Sequence, residues 1–427
     1  MARPIATTQI SIFALIAGLF AVSVACADDV ADLKSELERL KQENSQLRDL
    51  VATQADKTDK ILQRLETIES APPPPPAANV AAPPPMPMAD SGFSLPKLDL
   101  KGFADVGYYA QERGGQTSNS FTTADIDFFI NSEIADDVDF LFEADWHSKE
   151  PGNGINFTLQ RASITYRLYD YFNINVGRVH TAIGYYNQNF HHGNYLMTTV
   201  IRPEIMRFER DAGGFLPVHG VGIEFFGNIP MDGFDLEYNL SVLNGRDEQI
   251  TGVAHLRDRN NHKALNMLLN VKPHWLDGLE IGGVAYLDRI PPDQTDPLRS
   301  TTLSEEIFGG FVVLNRDNFE YLSEIFFINQ EDQTSGMKYD TVGAYAQIGY
   351  GPFDKLTPYY RFDYVDLDQG NPYYTPNGNV GITSHSIGVR WDAYSWNAIK
   401  FEYSYGDLQD SDSEQQHAFR INSSFPF

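Results

Sequence analysis

Two histidines stand side by side at 191 and 192, and Glu204, Glu209 and Asp211 follow a short way downstream. Imidazole and carboxylate are ordinary ligands of a divalent ion, but two ligands on one helix face need a spacing of three or four residues. The adjacent pair therefore reads as packing and hydrogen bonding, and no metal or cofactor is expected. Ser384-His385-Ser386 offers the residue types of a hydroxyl nucleophile and its base, yet these types alone specify no orienting third group. No catalytic residue is expected, and the chain does not read as an enzyme. What remains is charge. Arg202, Arg207 and Arg210 interleave with Glu204, Glu209 and Asp211, and such a cluster at a narrow point of a pore acts on passing solutes through its field.

Further charges recur on alternate residues, which is the signature of strands with two faces. In 123–131, Ala124, Ile126, Phe128 and Ile130 share one parity, and Thr123, Asp125, Asp127 and Asn131 the other. In 139–146, Phe140, Phe142, Ala144 and Trp146 alternate with Asp139, Glu143 and Asp145. A charge facing lipid at mid-depth costs a few kcal/mol, so the carboxylates must point inward. Asp105, Glu224, Asp235 and Glu237 join them. The inward parity of the last strands carries Arg361 with Asp363, Arg390, Lys400 with Glu402, and Arg420. The expected pore lining is thus Asp105, Asp125, Asp127, Glu143, Asp145, Arg361, Arg390, Lys400 and Arg420. Closure of the wall is expected to bring Arg420 beside Asp105. Two readings stay open: a transverse field that orients polar solutes, or charges that pair and merely solvate a wide lumen.

The elements that position these residues begin near 97, where aromatic and polar residues start to alternate. Sixteen strands can be counted, and long connections (111–120, 148–154, 181–218, 244–262, 289–304, 330–337, 367–379, 406–414) alternate with short ones such as Ala135-Asp136-Asp137 and Tyr169-Asp170-Tyr171. Short turns on one side and long loops on the other describe an all-β transmembrane barrel of 16 antiparallel strands, with the short turns in the periplasm. The final strand ends on Phe427 after Phe419, Ile421 and Phe425, and it resembles the C-terminal assembly signal of bacterial barrel proteins. The connection 181–218 is rich in aromatics, with an apolar run at 195–201. It is expected to fold inward and narrow the pore. The constriction residues would be His191, His192, Arg202, Glu204, Arg207, Glu209, Arg210 and Asp211.

Ahead of the barrel the chain changes character. Arg3, the apolar run 10–24 and Ala25-Cys26-Ala27 read as a signal peptide over 1–27. Acylation of Cys26 is the rival processing. Residues 28–70 carry a heptad repeat, with Val30, Leu33, Leu37, Leu40, Asn44, Leu47, Val51, Gln54, Thr58, Ile61, Leu65 and Ile68 at the core positions. This predicts an α-helical coiled coil in the periplasm. The polar layers leave dimer and trimer open. Residues 71–96 form a proline-rich spacer, extended and semi-rigid, and 97–427 form the barrel.

The formal charge of −26 excludes nucleic acid as a partner. The segments GRVHTAIGYYNQNFHHGNYL, RPEIMRFERDAGG and PVHGVGIEFFG, with the long third loop and sixteen strands, are similar to bacterial outer-membrane porins. They resemble the phosphate-selective and related trimeric porins, some of which carry a periplasmic coiled coil. The resemblance implies a homotrimer in the outer membrane of a Gram-negative bacterium. The acidic barrel departs from it, because a phosphate pore needs a ladder of Lys and Arg. The function expected is a water-filled channel for passive diffusion of small polar solutes and ions, with mild cation preference. The alternative is a barrel that anchors a tether, with the coil, about 60 Å long, reaching peptidoglycan or another periplasmic partner.

Overall fold

The computed structural model describes residue 41 and residues 97–427 apart from 150–153, 192, 209–213, 251–258, 294, 297–298, 354 and 410–413. The expected signal peptide, coiled coil and proline-rich spacer lie outside the described residues. Sixteen strands are described: β1 (Leu98–Arg113), β2 (Gln116–Ala135), β3 (Val138–Lys149), β4 (Gly154–Tyr169), β5 (Phe172–His180), β6 (His219–Met231), β7 (Phe234–Leu243) and β8 (Ala264–Pro273). The second half comprises β9 (Leu279–Ile290), β10 (Leu303–Arg316), β11 (Phe319–Asp332), β12 (Lys338–Tyr350), β13 (Leu356–Leu367), β14 (Ile382–Tyr394), β15 (Asn397–Leu408) and β16 (Gln415–Pro426). Each pairs antiparallel with its sequence neighbours, and β1 pairs with β16, so the sheet is a closed barrel. Closure removes both sheet edges, which is what a sheet in lipid requires.

Burial follows the two-residue period. Along β8 and β12 buried and exposed residues alternate almost without error. The exposed parity is apolar: Leu265, Met267 and Leu269 on β8, Ile325 and Phe327 on β11, Phe401 and Tyr403 on β15. At the short-turn end, exposed aromatics cluster. Tyr169 stacks on Tyr171 at 5.1 Å and Tyr394 on Trp396 at 5.2 Å, with Trp275, Tyr350, Phe353 and Phe427 also exposed. The Tyr and Trp rings, apolar bodies with polar tips, suit a membrane–water boundary.

Three expectations need correction. The first long connection, 111–120, is mostly strand: β1 and β2 run on to a tight turn at Gly114 and Gly115, both with positive φ. Thr123 does not share the inward parity of Asp127. A β-bulge sets two residues of β2 (124 and 125) against one of β1 (Asp105), between the pairs Ala104–Ile126 and Val106–Thr123, so Thr123 faces outward with its partner Val106. Finally, the seam does not set Arg420 beside Asp105. The register of β1 on β16 pairs Asp105 with Ser424 and Arg420 with Tyr109. The slant of a barrel seam displaces residues that sequence order alone would place level.

Candidate functional site

The site is built by the long connection between β5 and β6, residues 181–218, and the wall it meets. A short helix α1 (Tyr185–Asn189) begins it, and a 3-10 turn at Glu204–Met206 lies farther along. The start of α1 is held by a carboxylate of the wall. The amides of Tyr185 and Tyr186 donate to Glu324 of β11 at 2.8 Å each, and the Tyr345 hydroxyl of β12 donates to the same group. Gly184, at φ +87°, allows this approach, because a Cβ there would collide with the Glu324 carboxylate and the Phe326 ring. Burial pushes the Tyr186 hydroxyl up to about 12, so it stays neutral and donates to Met197 Sδ at 2.8 Å.

The middle of the segment is tied to the last strands by their basic residues. Arg361 of β13 donates to the carbonyl of Ile201 at 2.6 Å, that of Arg202 at 3.1 Å, Thr199 Oγ1 at 3.1 Å and Asp363 at 2.8 Å. Lys400 of β15 donates to the carbonyls of Asn194, Met197 (3.0 Å) and Thr199 (2.9 Å). Arg390 of β14 donates to the carbonyls of Tyr195 at 2.7 Å and Met197 at 2.9 Å, and pairs with Asp392 at 2.8 Å. Carboxylates hold loop amides in the same way: Glu402 accepts from Val200 N at 3.0 Å and Asp363 from Glu204 N at 3.0 Å. On the opposite side of the seam Asp105 accepts from Asn194 Nδ2 at 2.7 Å and from Asn422. Backbone groups that a strand would pair are here satisfied by acidic and basic side chains of the wall.

Apolar packing seats the same segment. Ile183, Ile205, Met206, Phe215, Leu216 and Val218 are buried in one cluster with Ile307, Val313, Leu322, Phe326 and Ile328 of the inner wall. Ile205 rests over Gly343 of β12, where a Cβ would overlap its side chain. Burying a side chain of this size contributes about 1.5–3 kcal/mol.

The expected site residues thus divide. Arg361, Lys400 and Arg390 are engaged with the loop. Arg420 donates to Ser404 Oγ at 2.6 Å and lies 3.5 Å from Glu402. Asp127, Glu143 and Asp145 are buried on the wall of β2 and β3; Glu143 pairs with Arg161, and Asp145 with His147 at 2.7 Å and Gln160 at 2.5 Å. In the loop, Arg202 donates to the carbonyls of His191 at 2.9 Å and Met206 at 2.6 Å, and its guanidinium lies over the Phe208 ring at 4.2 Å. Glu204 pairs with Arg207 at 2.7 Å. His191 is buried, with its ring nitrogen Nδ1 2.6 Å from Asn187 Oδ1. His192, Glu209, Arg210 and Asp211 lie outside the described residues, as does the side chain of Asp125.

Below α1, on the short-turn side, a cavity of about 470 Å³ is lined by Tyr185, Asn189, Glu237, Asn270, Lys272 and Glu280, among others. Lys272 pairs there with Glu237 at 2.8 Å and Glu280 at 3.5 Å, one cation against two carboxylates. Sequence reasoning placed Glu237 facing inward but did not name Lys272 or Glu280 or see the pocket they form; the alternate polar positions of β7 to β9 carried its signal. It also missed a network under the connections of the long-loop side. Arg246 donates to Glu305 at 3.0 Å, to the carbonyl of Phe215 at 2.8 Å and to the Tyr374 hydroxyl at 3.2 Å. Burial holds the Tyr374 hydroxyl well above its usual range.

No protein-family model and no curated protein matches the chain. Solved structures do match in fold. An anion-selective porin from Comamonas acidovorans is 10% identical, covering 78% of this chain and all of that one, with a TM-score of 0.56. The outer-membrane channel DcaP of Acinetobacter baumannii is 13% identical over 78% of this chain and 97% of its own, with a TM-score of 0.54. OmpF of Salmonella typhi, in complex with daunomycin, is 14% identical over 78% and 98%, with a TM-score of 0.53. The fold is a porin-like barrel.

Proposed function

We propose that the chain is an outer-membrane porin of a Gram-negative bacterium, a water-filled channel for passive diffusion of small polar solutes and ions. The carrying observation is the attachment of 181–218 to inward-facing Glu324, Arg361, Lys400 and Glu402 of a closed sixteen-stranded barrel. A segment bonded to the inner wall narrows the lumen without closing the sheet, and its own polar groups become the walls of the passage. Here the segment is the constriction, and Arg361, Lys400 and Arg390 are its anchors more than lining of the open lumen.

Cations are the favoured ions. Arg361 and Arg390 are paired with Asp363 and Asp392, and Lys400 is buried against loop carbonyls, whereas the pocket of Glu237, Glu280 and Lys272 sets one cation against two carboxylates. Among the described residues no ladder of cations matches phosphate selectivity. The assembly is a homotrimer, with a periplasmic coiled coil at 28–70 joined by the spacer 71–96 after removal of a signal peptide at 1–27. The test is planar-bilayer conductance with a salt gradient. Discrete steps and a reversal potential of cationic sign are expected. An anionic sign would overturn the selectivity, and absence of steps would overturn the channel.

A further inference from the structure

We infer that His180, His191 and His219 form a binding site for a divalent first-row transition metal at the base of the 181–218 segment. The candidate ligand atoms of the three residues all lie within 4.8 Å of one another. Their rings converge pairwise, with centroids 3.7 Å apart for His180 and His191, 4.5 Å for His191 and His219, and 5.4 Å for His180 and His219. His180 ends β5, His219 starts β6, and the two are direct partners in the register, so their side chains share one face of the sheet. His191 comes from the loop between them. The site is independent of the channel reading, since these three residues alone form it.

The hydrogen bonding around His191 sets its tautomer. Asn187 Nδ2 donates to the carbonyls of Thr181 at 2.8 Å and Val218 at 3.0 Å. Its Oδ1 must therefore accept, and the His191 Nδ1 that meets it at 2.6 Å must carry the proton. In the neutral ring this leaves the lone pair on Nε2, the form a metal needs, with the orienting amide in the position usual for the outer shell of such sites. His191 and His219 are buried. An all-imidazole set suits Zn²⁺, Cu²⁺ or Ni²⁺ and is a poor match for Mg²⁺ or Ca²⁺. Glu143 Oε2, 3.8 Å from His180 Nε2, supplies a nearby carboxylate that also pairs with Arg161. In a filled tetrahedral site the ligand nitrogens sit about 3.3 Å apart, from metal–nitrogen bonds of about 2.0 Å. Closing the present set to that size requires the His180 and His191 rings to turn out of their mutual stacking, so that their lone pairs meet at one point. A bound ion would clip the loop's departure, its return and its first turn together.

The test uses the full chain purified without a polyhistidine tag, stripped with chelator and titrated with Zn²⁺ against a chromophoric competitor. Co²⁺ is then substituted for absorption spectroscopy. One equivalent per chain, with a Co²⁺ spectrum of low coordination number, is expected. His191→Gln should weaken Zn²⁺ binding at least 10-fold while the barrel keeps its heat-modifiable electrophoretic mobility. Should that variant fail to fold, His219→Gln takes its place, and the wild-type Co²⁺ spectrum is decisive without either. Less than one equivalent, a spectrum of the hydrated ion, or unchanged binding in a folded variant would overturn the site.

Discussion

Arg361 is fully buried, and its donors are divided between Asp363 and the carbonyls of Ile201 and Arg202. Removing a buried ion's partner leaves the other charge uncompensated, at a cost of about 3–5 kcal/mol. Arg361→Met should therefore free the middle of the loop more than the barrel, because the sixteen-strand hydrogen-bond ladder does not pass through this side chain. Limited proteolysis should cut near 195–205 in the variant at enzyme levels that leave the wild type intact, while heat-modifiable mobility is kept. Equal resistance would deny Arg361 the anchoring role. Gly184→Ala should act at the other end of the segment by pushing α1 off Glu324, with a smaller rise in cleavage. The parity of Arg361 was legible in the sequence; its partners were not. Alternation fixes which way a side chain points, but a bond across 160 residues to a loop carbonyl has no local signature. The same holds for Arg420, which follows the register of its seam and meets Glu402 and Ser404.

At the scale of elements, strand number and the place of the long third connection were readable because lipid outside and polar groups inside impose a period of two on every strand. Strand ends were less readable. β1 and β2 continue through residues that look like loop, since Gln, Thr, Ser and Asn in 116–123 pair as well above the membrane as in a turn. The connections beyond the wall carry their own order. Asp293 accepts from Thr295 N at 2.8 Å, Thr295 Oγ1 at 2.6 Å and Gln249 Nε2 at 3.0 Å, and these bonds hold its carboxyl down at about 2. A carboxyl lowered in the folded state stabilises it fully above its ordinary value of about 3.9, and that contribution fades as pH falls toward about 2. Cleavage of the 291–302 connection by an acid-active protease should rise across this window in wild type. Asp293→Asn should be cleaved readily at every pH in it, and a parallel response of the two proteins would dismiss the carboxylate as the cause.

For the whole molecule, the proposed parts separate cleanly. Deleting 28–70 should leave single-channel conductance within about twofold, because those residues precede the wall, and should lower cross-linking to periplasmic partners and trimer yield. Loss of conductance with an intact barrel would instead tie the coil to the pore itself. The apolar outer parity and the aromatic rim at the short turns fit a membrane barrel, and Phe427, paired through its backbone to Gly102 at 2.9 Å in both directions, lies at that rim. The pore's charge was only half legible: the acids of β2 and β3 could be counted, but the engagement of the late basic residues by loop carbonyls depends on the closed shape.

The most direct test of a channel throttled by 181–218 compares single-channel conductance in planar bilayers of the wild type with a variant in which 185–214 is replaced by a short Gly-Ser linker. Both should conduct in discrete steps, with several-fold larger steps in the shortened protein, since the segment occupies lumen that water would fill. Equal steps would contradict the constriction, and a folded wild-type barrel without steps would contradict the channel.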